Sequence, residues 1–112
     1  MALRVLIVED QVPGLQSTRL LLDQEGHAIT LVASCAEARA LAATFDVAGF
    51  QLVVANGLGV DLAEELLQDR RIARVIFLSG AEDPALTERA RSLGAVVPTG
   101  NGASLRRAVA GK

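Results

Sequence analysis

The sequence predicts an α/β fold: one domain built on a doubly wound, five-stranded parallel sheet with five helices. Short apolar runs alternate along the chain with amphipathic stretches that carry helix signals at their ends. The runs are continuously apolar, as expected of parallel strands covered on both faces. The connections are short, with no internal repeat, linker or low-complexity segment.

Leu3 to Val8 is the first expected strand, interrupted only by Arg4. Pro13 suits the first turn of a helix because its missing N–H has no intrahelical role there; the helix runs to about Glu25, and Gly26 stops it. Ala28 to Val32 is the second strand. Ser34 with Glu37 forms a capping box for a helix through the alanine-rich segment to about Thr44. Gln51 to Ala55 is the expected third strand. Asp61 with Glu64 repeats the capping pattern for a helix to about Arg70. Arg74 to Leu78 is the fourth strand; Asp83 then caps a helix opened by Pro84 and ended by Gly94. Ala95 to Pro98 is the fifth strand, and Ala103 to Ala110 a short last helix. Right-handed crossovers place helices on both faces of such a sheet.

The 112 residues suit a single domain over residues 1–112, with a core large enough to be self-sufficient. Apolar residues make up 51% and charged residues 21%, an ordinary globular composition. A net charge of -2 and a pI of about 5.3 argue against direct nucleic-acid binding, whose footprint is normally basic. The single cysteine, Cys35, suits a reducing compartment. The apolar run near the start ends at Glu9-Asp10, unlike a signal peptide, and no stretch approaches bilayer-spanning length. A cytoplasmic domain with no membrane contact is expected.

Ligands of doubly wound sheets sit at the carboxyl ends of the strands. Glu9 and Asp10 put two carboxylates there, an oxygen-donor pair suited to Mg²⁺; the alternative is a solvated acidic turn before the helix at Pro13. The same region resembles response-regulator receiver domains of the CheY-like superfamily. The resemblance lies in Arg4-Val5-Leu6-Ile7-Val8-Glu9-Asp10-Gln11, in Gly26-His27-Ala28-Ile29-Thr30 and in Phe50-Gln51-Leu52-Val53-Val54-Ala55. Val75-Ile76-Phe77-Leu78-Ser79-Gly80 and Leu93-Gly94-Ala95 extend it over essentially the whole chain, in order. It implies a flavodoxin-like sheet and a signalling module, not an enzyme, that takes a phosphoryl group from a histidine kinase onto an aspartate at the end of the third strand. The acidic pair would hold Mg²⁺; a hydroxyl after the fourth strand and a lysine after the fifth would bind phosphoryl oxygens. Ser79 fits the hydroxyl position.

The chain also departs from the pattern. Asn56 falls at the expected phosphoacceptor position, and an amide is a poor nucleophile. The lysine position falls near Asn101, and the only lysine is Lys112. Pro98 stands where an aromatic switch residue is usual. Losing one carboxylate beside Mg²⁺ removes about 1–4 kcal/mol of attraction, so only weak binding is expected, by Glu9 and Asp10 with Asn56 and the Leu58 backbone. No cofactor is required. The resemblance therefore implies a degenerate, pseudo-receiver variant of a two-component or phosphorelay system, acting through protein contacts with a kinase, another receiver or an output protein. Arg89, Arg91, Arg106 and Arg107 are the expected interaction surface, for such a partner or for a homodimer, against the plainer reading of a solvated face.

Two alternatives stand beside that reading. One is a phosphoacceptor at an unexpected residue. The other is an anion- or nucleotide-sensing domain, since Gly57-Leu58-Gly59 precedes a helix whose first N–H groups suit an anion; the third glycine of the dinucleotide fingerprint is absent. Asn56-Gly57 and Asn101-Gly102 suit turns, and an Asn-Gly pair is also prone to deamidation. His27 is expected at a solvated turn, and Cys35 as a packing residue or, less simply, a thiol activated by a helix N-terminus.

Overall fold

Four of the five expected runs become parallel strands, and the remaining strand of the sheet comes from the segment just before the expected third run. The computed structural model describes residues 3–9, 23–24, 26–41, 43–51, 53–54, 57–79, 84–98 and 107–110. The sheet is built from β1 (Arg4–Val8), β2 (Ala28–Val32), β3 (Phe45–Gln51), β4 (Ile72–Ser79) and β5 (Ala95–Pro98). All its neighbours pair in parallel, in the spatial order β2-β1-β3-β4-β5. That is the doubly wound order of the flavodoxin-like type.

Two buried clusters lie on opposite faces of the sheet. Leu6, Val8, Ala48, Phe50, Val75 and Phe77 face α1 (Cys35–Ala40), α2 (Gly59–Gln68) and α3 (Pro84–Leu93). Val5, Ile7, Val47, Ile76, Leu78 and Val97 face the other way, where Ala108 and Val109 of the helical turn 107–110 pack. Side chains alternate across a strand, so the doubly apolar runs supply both faces at once. Phe50 and Phe77, both fully buried, meet at a centroid separation of 6.1 Å.

β2 and β5 have the limits expected from sequence, and α3 runs from Pro84 to the residue before Gly94. A Cβ on Gly94 would lie 2.2 Å from the Val75 carbonyl oxygen, so the turn from α3 into β5 passes too close to β4 for any side chain. The expected helix between β1 and β2 falls almost wholly outside the described residues. Asp23 is helical, and Gly26 has φ +82° and donates to the Asp23 carbonyl at 3.0 Å. The expected Asp83 cap also lies outside the described residues, as does the first part of the last helix.

Three elements correct the sequence reading. The third strand is Phe45–Gln51, not Gln51–Ala55; Val53–Val54 pairs instead with Gly57–Leu58 in a small antiparallel hairpin. Asp46 and Gly49 interrupt the apolar run, yet each has a place in the strand. The Asp46 carboxylate accepts the Arg4 N–H at 2.7 Å, and a Cβ on Gly49 would meet Ile7 at 3.0 Å.

α1 ends at Ala40, not near Thr44, because Leu41 turns extended at ψ 135°. Its last carbonyls are capped from afar: the Arg71 guanidinium donates to the carbonyls of Ala38, Arg39 and Leu41, placing a cation at the negative end of the helix. The cap at its start is as expected, with the Glu37 N–H donating to Ser34 Oγ at 3.1 Å. The Glu37 carboxylate accepts from Ala33, one residue before the cap, at 2.6 Å.

α2 starts at Gly59, two residues before Asp61, so Asp61 lies in the first turn and caps nothing. It ends in a Schellman arrangement: Arg70 donates to the Leu67 carbonyl and Arg71 to that of Leu66. Arg70 occupies the left-handed position of that motif at φ 58°.

Candidate functional site

Parallel pairing brings the ends of β1 and β3 side by side. Val8 is in register with Phe50, so the next residues, Glu9 and Gln51, neighbour one another at the carboxyl edge. The Glu9 N–H donates to the Val32 carbonyl at 3.1 Å and so continues the β1–β2 ladder one step beyond the strand. Its side chain is 3% exposed, although a carboxylate is costly to remove from water without compensating charge or hydrogen bonds. The half-buried Gln51 contributes one contact: its Nε2 donates to Glu9 Oε1 at 3.4 Å, a long hydrogen bond.

The backbone around Gln51 is tightly confined. After the hairpin the chain returns so that a Cβ on Gly59 would lie 1.8 Å from the Gln51 carbonyl oxygen and 3.3 Å from Phe50 Cβ. Only glycine fits there. The start of α2 and the end of β3 are therefore one packed unit, and Gln51 is held at the strand terminus beside Glu9.

The third strand, expected to lead into Asn56, ends in the structure at Gln51. Asn56 itself lies outside the described residues, as do Asp10, Asn101 and Arg106. Leu58 lies in the hairpin opposite Val53. Ser79 is the last residue of β4, in register with Pro98 of β5. The structure therefore brings Glu9 together with Gln51, a residue the sequence reading passed over. The sequence signal for it is the run Phe45 to Phe50 leading into Gln51, with Gly59 following; the more continuously apolar Leu52 to Ala55 is the competing signal.

Oxygen donors of this kind suit a hard cation such as Mg²⁺, which takes carboxylates together with waters. Among the described residues no three His, Cys, Asp or Glu side chains come together as a metal cluster. Glu9 is thus the described carboxyl donor at this edge, with the Gln51 side-chain amide as its neighbour.

Of the expected arginine surface, Arg89 is engaged by two carboxylates of α2. Its Nε donates to Glu64 Oε1 at 3.0 Å and its Nη2 lies 2.6 Å from Asp61 Oδ1. The hydrogen bonds to Glu64 and then Asp61 push the guanidinium pKa further up. Arg91 pairs with Glu88 on its own helix at 2.7 Å, and Arg107 is exposed.

Cys35 is fully buried at the start of α1, and that burial pushes its thiol pKa up, the opposite of an activated nucleophile. His27 Nδ1 accepts the Leu3 N–H at 3.1 Å, tying the turn before β2 to the start of β1. Among the described residues no helix is long and apolar enough to cross a membrane.

No family model and no curated protein matches the chain in sequence. Solved structures do match it in shape. A CheY-like response regulator receiver domain protein from Methanospirillum hungatei JF-1 superposes with a TM-score of 0.87 at 23% identity, covering 99% of this chain and 93% of that one. The chemotaxis response regulator CheY4 of Vibrio cholerae gives 0.82 at 20% identity, covering 98% of each chain. The non-phosphorylated HemR receiver domain from Leptospira biflexa gives 0.80 at 24% identity, covering 95% of this chain and 93% of that one. The chain has the receiver-domain fold.

Proposed function

We propose that the chain is a receiver-like module of a two-component or phosphorelay system that works through protein contacts and does not take up a phosphoryl group in the usual way. The observation that carries this reading is Gln51, held at the end of β3 beside the buried Glu9. Phosphoryl transfer to a receiver needs an anionic oxygen nucleophile at the strand end. The amide of Gln51 has no anionic oxygen, and its nitrogen lone pair is delocalised into the carbonyl. Fold likeness supports the module's class; the argument against phosphorylation rests on this side chain.

Mg²⁺ binding at Glu9 and Asp10 would be weak, since an amide replaces a charge at Gln51. When bound, the ion would supply a Lewis-acid centre for phosphate oxygens. Glu9 would donate a carboxylate oxygen, and Gln51 would orient that carboxylate through its N–H. The candidate partners are a histidine kinase, another receiver, an output protein or a second copy of the chain, on the face formed by α3, β5 and the turn 107–110.

The test is intact mass after incubation of freshly purified protein with Mg²⁺ and acetyl phosphate. The expected result is an unchanged mass. A stable gain of one phosphoryl group, at Gln51's neighbours or elsewhere, would overturn the reading and favour an unexpected acceptor residue.

A further inference from the structure

Helices α2 and α3 are equally long, 10 residues each, yet they are held differently. Among the described residues α2 buries Gly59, Val60, Leu62, Ala63 and Leu66. α3 buries only Ala90, with Leu86 and Leu93 partly covered. Apolar burial is what normally fixes an amphipathic helix on a sheet. α3 has little of it.

Arg89 supplies another tie. Asp61 and Glu64 stand three residues apart on α2 and therefore share a face. The Arg89 guanidinium bridges them, through Nε to Glu64 at 3.0 Å and through Nη2 to Asp61 at 2.6 Å. The neighbouring charges are engaged elsewhere: Glu88 with Arg91 on α3, and Glu65 with Arg39 on α1. Among the described ion pairs, those of Arg89 join α2 to α3. They are open to solvent, with Arg89 39% and Asp61 54% exposed, so dissolved salt can screen them.

We propose that Arg89 is a latch for α3: while it bridges Asp61 and Glu64 the helix stays on the sheet, and when the bridge is screened or broken α3 opens locally while α2 stays in place. This rests on the reading of the α3 face as a docking surface and adds to it what sets how firmly that surface is held. An arginine fork suits the role because it can satisfy two carboxylates at once, which a lysine ammonium does less specifically.

Amide hydrogen exchange on the full chain tests the latch without phosphate or a partner, so its outcome is independent of what Gln51 does. Arg89→Gln should speed exchange across 84–93 roughly fivefold and leave 59–68 unchanged. Molar salt should have the same effect on the wild-type protein and little further effect on the variant. Glu64→Gln should reproduce the result from the other side of the bridge. Unchanged exchange across 84–93 in either variant would overturn the proposal. So would an equal acceleration across 59–68, which would mark a general loss of stability.

Discussion

At the carboxyl edge of the sheet β1 delivers Glu9, 3% exposed, and its parallel neighbour β3 delivers Gln51, whose amide donates to Glu9 at 3.4 Å. The two positions are equivalent in backbone terms: each lies one step beyond a register pair of Val8 with Phe50. They differ in chemistry: a carboxyl side chain follows β1, and an amide side chain ends β3. On the proposed reading, this edge keeps the place for phosphoryl chemistry and the Gln51 amide withholds the reaction. Strand pairing and core packing depend on Phe50 and Val8, and neither changes if Gln51 becomes an acid.

The largest effect should come from disturbing the backbone that presents Gln51. Gly59→Ala adds a Cβ 1.8 Å from the Gln51 carbonyl oxygen, which is main chain and cannot rotate away. The better helix propensity of alanine contributes at most about 1 kcal/mol in the opposite direction. A net loss of about 3 kcal/mol is expected in urea unfolding. A variant as stable as wild type would mean that β3 and α2 are not packed together as described.

A smaller effect sharpens the contrast in chemistry. Gln51→Asp places a second carboxylate beside Glu9, so without metal the variant should melt below wild type through like-charge repulsion. An ion that binds only the folded state stabilises it by about 1.4 kcal/mol at ten times its Kd. The melting temperature of Gln51→Asp should therefore rise with Mg²⁺ well beyond that of wild type, and Glu9→Gln should abolish the rise. Equal responses in all three would remove Glu9 and Gln51 from any cation site.

The smallest effect lies at the other end of the same helix. Arg70 sits at φ 58°, a conformation that costs a non-glycine residue about 1 kcal/mol. Arg70→Gly should stabilise the protein by about 0.5 kcal/mol, since the greater freedom of glycine in the unfolded chain offsets part of the gain. A destabilised variant would assign the Arg70 side chain a contact that outweighs its backbone strain.

Much of the architecture was legible from sequence because β2, β5 and α3 are bounded by local signals: Gly26 before β2, Pro84 at the start of α3 and Gly94 at its end. The third strand was not. Asp46 and Gly49 make sense only through Arg4 and Ile7 of β1, more than thirty residues away in sequence and beyond the reach of local periodicity. The end of α1 is similar, set by Arg71 rather than by any nearby stop. The error carried into the site. Reading the strand as Gln51 to Ala55 directed attention to Asn56, whereas the strand ends at Gln51. The residue at or just after the strand's end is an amide in both readings.

The most direct measurement is intact mass after incubation with Mg²⁺ and acetyl phosphate, made in parallel on wild type, Gln51→Asp and Asn56→Asp. Phosphoryl gain by Gln51→Asp alone is the predicted result. Gain by wild type, or by Asn56→Asp but not Gln51→Asp, would contradict the account.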